Sequence, residues 1–186
     1  MSTSEAILKA ARSSVQAHGY GGLNFRDLAS DVGIKAASIY HHFPSKADLG
    51  AAVARRYWED VVVDLDAILE DAGDPSEALR RYPRIFRRSL ERDNRLCLGS
   101  FMSAEYDDLP EPVRKEVQTF SDVNVAWLKA RLAEAGQFGS QEKAEGRARA
   151  IFASVAGAQL LARSRADLSI FDGLIDAYRA SGLLTA

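Results

Sequence analysis

Apolar residues recur at three- and four-residue spacing in one segment after another, the pattern of amphipathic helices, and predict an all-α chain. Residues 4–18 place Ile7, Leu8, Ala11 and Val15 on one side, and the glycines within 19–22 make a tight turn. Over residues 24–48 the pattern gives two short helices and the start of a third. Asn24 caps the first, Asp27 stands three residues on as in a capping box, and Leu28, Ala29 and Val32 form the apolar face. Gly33 stands where the chain turns sharply, in a left-handed backbone that glycine adopts at little cost. In the second helix, 35–43, Ile39 and Phe43 share one face and leave Ala36, Ser38, Tyr40 and His41 for another. Pro44 ends it, and Ser45 with Asp48 caps the next.

Longer helices follow. Residues 45–71 contain no proline and carry Trp58, Val62, Leu65 and Leu69 toward a second core, so one helix runs on from the helix pair without a linker. Such a helix is able to transmit tilt. After a break at 72–75, residues 76–93 form a helix around Leu79, Tyr82, Ile85, Phe86 and Leu90, with a kink or break at Pro83. A short apolar helix spans 96–105, and a long one from 109 to about 136 carries Val113, Val117, Phe120, Trp127, Leu128 and Leu132. Residues 140–164 and 167–182 form the last two helices.

By size and spacing, residues 24–48 are a helix-turn-helix whose second helix suits the major groove of DNA. Ala36 and Ala37 keep its leading edge slim, and Ser38, Tyr40, His41 and His42 offer hydrogen bonds to bases or phosphates. Lys46 adds a charge at a helix N-terminus that already favours an anion. Two ordinary packed helices would show the same periodicity, so the pattern alone divides evenly between these readings.

Composition bounds the choice. The 186 residues are 47% hydrophobic and 27% charged, a globular balance with enough chain for a real core. One cysteine excludes an internal disulfide framework and a cysteine metal cluster. No secretory signal opens the chain and no apolar run reaches membrane length, so a cytoplasmic protein without a membrane partner is expected. The net charge of −2 argues against a blanket nucleic-acid binder. It is unevenly spread: residues 1–50 hold five Lys/Arg against four acids and all three histidines, leaving −3 for the remainder. A mildly positive tip on an acidic body is compatible with DNA binding, and dimerisation would multiply a modest affinity. The most basic stretch lies elsewhere, at Arg80, Arg81, Arg84, Arg87, Arg88, Arg92 and Arg95. A solvated, salt-bridged face is the favoured reading there; an anionic ligand or a second DNA contact is the alternative.

The run GIKAASIYHHFPSKADL, with Arg26–Asp27–Leu28–Ala29 before it and an amphipathic first helix ending in His-Gly-Tyr, resembles the N-terminal DNA-binding domain of the TetR family of one-component regulators. The motif covers about a quarter of the chain, and the length and helix order fit the remainder. Asn24 departs from the family, standing where a small hydroxyl residue is common; it can still cap. The resemblance implies a helix-turn-helix DNA-binding domain over 1–48 and a ligand-binding and dimerisation bundle over 49–186. It implies a homodimer on a palindromic operator, a repressor released by a small, mostly apolar or thiol-reactive effector. Arg26, Ala36, Ser38 and Tyr40 would lie nearest the bases, Tyr40, His41 and Lys46 would mostly contact phosphates, and Asn24, Lys35, Ala37 and His42 would complete the contact.

Trp58, Phe86, Phe101, Met102, Phe120, Trp127 and Phe152 fall on several helices and are candidates for an effector cavity, though plain core is the commoner fate of each. Cys97 is the only thiol. A small buried hydrophobe is the favoured reading; Arg92 and Arg95 just before it, and its place at a helix start, would stabilise thiolate and keep a thiol sensor as the alternative. The run CLGSFMSAEYDDLPEPVRKEV resembles a subgroup of the family in which a cysteine opens this helix and some members respond to electrophiles. Arg163 is a candidate neighbour for it. Ala153, Gly157, Leu160, Phe171, Leu174 and Tyr178 on the last two helices form the expected dimer interface, carried by the family's four-helix contact. An enzyme is not expected. There is no Gly-rich phosphate loop or spaced metal pair, and His41 and His42 point about 100° apart on a helix, so neither metal nor cofactor is implied. A helical adaptor binding only protein is the rival reading.

Overall fold

In the computed structural model the described residues are 2–136 and 141–184. Among them ten α-helices form, and no strand. They are α1 (Thr3–His18), α2 (Phe25–Val32), α3 (Ala36–His42), α4 (Lys46–Ala72), α5 (Pro75–Arg81), α6 (Arg84–Glu91), α7 (Leu98–Ala104), α8 (Glu111–Glu134), α9 (Gln141–Arg165) and α10 (Leu168–Ala180). The chain is all-α, as its periodicity predicts. Ser140, the expected first residue of the penultimate helix, lies outside the described residues. The predicted helix over 76–93 is two helices. Pro83 has no N–H to give the preceding turn, and the chain tightens there, with Ile85 N bonding Tyr82 O at 3.2 Å.

The helices fall into two compact units. The first joins the chain up to Glu59 with Cys97–Phe120, so it takes the N-terminal part of α4, all of α7 and the start of α8. Its core is Ile7, Ala11 and Val15 from α1, Leu28 and Ile39 from α2 and α3, Leu49 from α4, and Leu98, Met102 and Val113, all within 1% of full burial. Residues 2–48 lie wholly within this unit.

Glu116 is the buried acid of the first unit, 7% exposed. Its carboxylate accepts from Arg55 Nε at 3.1 Å and from Trp58 Nε1 at 2.9 Å, tying α8 to α4. Burial pushes its pKa up, but the hydrogen bonds from Arg55 and Trp58 outweigh that and hold it below the usual carboxylate range. A depressed carboxylate contributes stability that is present above the unfolded-state pKa and is lost as pH falls through the folded-state one. Glu116→Gln should therefore melt below the wild type at neutral pH, with the gap closing under acid, below about pH 4. Melting curves that stay equally far apart throughout the titration would contradict this assignment.

The second unit joins Asp60–Leu96 with the chain from Ser121 onward. Here α9 packs against α6 and α10, and Tyr82, Phe86 and Phe171 are its largest fully buried side chains. Two polar bonds run through this core. Tyr82 Oη donates to Asn124 Oδ1 at 2.9 Å, and Gln159 Nε2 donates to the Phe86 carbonyl at 2.6 Å. A third link is reciprocal: Asn94 Nδ2 donates to the Arg163 carbonyl at 3.0 Å, and Arg163 Nη1 to the Asn94 carbonyl at 2.7 Å. Most of the arginine run is ion-paired. Arg80 and Arg81 hold Glu77, Arg81 also holds Asp71, Arg87 holds Asp172 and Glu91, and Arg88 holds Asp64.

Candidate nucleic-acid interface

Local chemistry sets each turn of the α2–α3 pair. Asn24 sits in extended backbone, and its Oδ1 accepts from Arg26 N at 2.8 Å and Asp27 N at 3.5 Å. Gly33 has φ +75°, and the helix end it closes is a Schellman motif, with Ile34 N bonding Ala29 O and Gly33 N bonding Ser30 O. A side chain there would be strained by backbone alone. Ser45 caps α4 by accepting from Asp48 N at 3.1 Å while its hydroxyl donates to the Asp48 carboxylate at 2.7 Å.

α3 turns Ile39 fully inward, with Phe43 buried just beyond its end. Lys35, Ala37, Tyr40, His41 and His42 are exposed, and Ala36 and Ser38 are half-buried at their side. Arg26 and Asn24, at the start of α2, are exposed as well. The structure thus places all ten sequence-proposed DNA contacts in the first unit, on α2, α3 and the starts of α2, α3 and α4.

Two contacts went unforeseen. The Tyr40 ring packs on Phe25 at 4.6 Å between centroids, which steadies a side chain that is 56% exposed. Lys46 Nζ donates to the Gly21 carbonyl at 3.1 Å and lies 4.8 Å from the centre of the Tyr20 ring, so its ammonium is tethered. Farther along the chain, the Glu105 carboxylate accepts from Tyr20 N at 2.9 Å, fixing the α1–α2 turn from the end of α7. Gly19 leaves room for that carboxylate, since a Cβ would lie 1.9 Å from Glu105 Oε1. Only the glycines of 19–22 signalled a close approach here; the partner lies 85 residues away.

The effector candidates separate into two groups. Trp58, Cys97, Phe101, Met102 and Phe120 belong to the first unit, and Phe86, Trp127 and Phe152 to the second. In the second, Trp127 stacks on Tyr82 at 5.9 Å and Phe86 meets Phe152 edge-on at 6.2 Å. Trp127 Nε1 is buried with no acceptor. Cys97 takes the small, buried place that the sequence reading favours. It caps α7, its Sγ accepting from Ser100 N at 3.3 Å, and it is 1% exposed. Burial pushes its thiol above the usual range, and hydrogen bonds with Ser100 and Tyr57 offset this only in part. Burial is the largest influence on the thiol, and Arg163 Nη1 donates to the Asn94 carbonyl. A correction concerns Phe171, placed by sequence on the dimer face but 1% exposed within its own unit. Ala153, Gly157 and Leu160 are exposed along α9, Leu160 by 58%, and Leu174 and Tyr178 are half-buried on α10.

The geometry of α2, Gly33 and α3 defines a helix-turn-helix protein. Residues 7–53 match the model of the bacterial regulatory proteins of the tetR family. The chain superposes on a TetR transcriptional regulator from Legionella pneumophila, with a TM-score of 0.89 at 29% identity, covering 97% of each chain. It superposes equally on a TetR-family regulator from Agrobacterium tumefaciens, with a TM-score of 0.88 at 28% identity, over 99% of this chain and 98% of that one. Among curated relatives, the HTH-type transcriptional repressor DhaR of Mycobacterium sp. (strain GP1) is 31% identical over 100 residues, 53% of this chain and 50% of DhaR. The match spans about half the length of that relative. Residues 7–53 thus match the family's N-terminal segment, and the chain shares its fold with the two superposed regulators.

Proposed function

We propose that this chain is a DNA-binding transcriptional regulator, a homodimeric repressor released from its operator by a small-molecule effector. The observation that carries the reading is the exposed face of α3. Slim Ala37, hydrogen-bonding Tyr40 and cationic Lys35 stand together on a helix whose opposite side is locked into the core by Ile39. A protein-only adaptor would have no use for that combination. Residues 1–48 would be the DNA-binding domain and 49–186 the ligand-binding and dimerisation domain. Two-fold symmetry then requires an inverted-repeat site. The exposed small and apolar row of α9, Ala153, Gly157 and Leu160, with Leu174 and Tyr178 of α10, supports pairing with a second copy.

The test is selection of bound fragments from a random genomic library, followed by footprinting. Lys46→Ala should weaken binding to every sequence, by about tenfold or less, and reduce the slope of affinity against salt by about one. Tyr40→Phe should also act on all sequences, whereas Ala37→Ser or Ser38→Ala should alter the preferred site. Footprints showing a single asymmetric site, or no saturable retention at all, would remove the repressor reading and leave the adaptor.

A further inference from the structure

We propose that Glu105, just past the end of α7, is a positioning residue for DNA binding: by holding the Tyr20 amide it sets where the Lys46 ammonium meets a phosphate. The inference rests on the DNA-binding reading above and adds to it a residue far outside the matched segment 7–53. Every group involved belongs to the first unit.

Lys46 does not approach a phosphate from open solvent. It is half-buried against the turn at 19–22, with its Nζ donating to the Gly21 carbonyl at 3.1 Å and standing 4.8 Å from the centre of the Tyr20 ring. An ammonium carries three donors, so that bond leaves two for a phosphate oxygen. A lysine stem loses rotamer freedom when binding fixes it, and a stem already tethered has less to lose. The tether is only as good as the turn beneath it. Tyr20 is fixed by its ring and by its amide. The ring lies against the backbone of α4, where a Cβ at Gly50 would stand 2.7 Å from Tyr20 Cε2. The N–H donates to Glu105 Oε2 at 2.9 Å. The chain is shaped to admit that carboxylate: Gly19 has φ +71° and ψ −173°, a backbone that glycine alone adopts readily, and a side chain there would collide with the Glu105 carboxyl group. Among the described residues Glu105 is the acceptor that the buried Tyr20 N–H has. Without it the turn should shift until the amide finds water, and the Gly21 carbonyl that holds Lys46 shifts with it.

The experiment titrates an operator fragment selected by the wild type with full-length protein across a salt series, at a temperature well below every variant's melt. Stoichiometric titration gives the active fraction of each. Glu105→Asp keeps the charge but is one methylene short of the amide, and Glu105→Gln keeps the acceptor but drops the charge. Glu105→Ala and Glu105→Asp should lose affinity about tenfold or less, and lower the salt slope by the amount that Lys46→Ala does. Glu105→Gln should restore both. In the Glu105→Ala and Glu105→Asp backgrounds Lys46→Ala should cost less than about twofold more, because the contact it removes is already lost. The direction is informative in itself, since deleting an acid ordinarily strengthens a protein's hold on a polyanion. A role in stability alone lowers the active fraction and leaves the slope and the cost of Lys46→Ala unchanged. That result, or a Glu105→Asp protein that binds as the wild type does, would overturn the proposal. If Glu105→Ala does not fold, Glu105→Asp and Glu105→Gln carry the same comparison. A wild type without saturable, sequence-selective binding removes the DNA-binding reading and the proposal with it. Selective wild-type binding, with losses at Glu105 and Lys46 that multiply independently, removes only the role of Glu105.

Discussion

Phe86→Ala should cost about 3–5 kcal/mol of unfolding free energy, the largest loss expected from any single substitution considered for this chain. Phe86 is fully buried, and its ring touches two others, Tyr82 at 5.8 Å and Phe152 at 6.2 Å between centroids. Its own carbonyl takes the buried Gln159 amide, so the backbone at this position is held and collapse into the vacated volume is hindered. The cost should therefore lie toward the upper end of that range. Denaturant unfolding of the wild type and the variant measures it from the midpoints at a shared slope. A loss under about 1 kcal/mol would mean that the second unit is loosely packed around α6.

The next largest effect is expected at Gly99 in α7. A Cβ built there would lie 2.2 to 2.5 Å from three ring carbons of Phe120. That ring is itself 2% exposed and packs on Tyr57 at 5.6 Å, so it has no open space to enter. Gly99→Ala normally helps a helix, by about 1 kcal/mol of propensity. Here the overlap should reverse the sign and leave a net loss of about 1–3 kcal/mol. A double variant, Gly99→Ala with Phe120→Leu, should recover part of it by freeing the ring's volume. A melt of Gly99→Ala at or above the wild-type temperature would show that Phe120 can shift.

The two positions also mark what was legible in the sequence. Features set by a few neighbouring residues were readable: the Asn24 cap, the left-handed Gly33, the stop at Pro44 and the break at Pro83. Ile39 and Phe43 were placed inward by spacing alone, which also fixed the outward face of α3. Contacts between distant segments left no such trace. Nothing local to Tyr20 announces Glu105, and nothing local to Cys97 announces Tyr57. The chain neighbours of the thiol, Arg92 and Arg95, were visible, but the burial that most affects it was only the commoner fate of a lone cysteine. Phe171 was misplaced for a related reason. α10 carries apolar residues on more than one side, including Ile170, Phe171, Leu174 and Ile175, so periodicity could not say which side is covered.

The first unit is discontinuous along the chain, and this has a consequence during synthesis. Its two pieces are separated by Asp60–Leu96, so α1, α2 and α3 leave the ribosome well before α7 and the start of α8 exist. Until then Gly50 lacks Val113, Tyr57 lacks Phe120, and the Tyr20 amide lacks the Glu105 carboxylate. The nascent helix-turn-helix must wait, partly exposed, for roughly the time of some sixty further residues, several seconds at the usual rate of elongation. During that interval its apolar face is available to chaperones and to other nascent chains. A regulator built in this way becomes competent only when most of its sequence has been translated, so a prematurely terminated product would leave its target sites unoccupied.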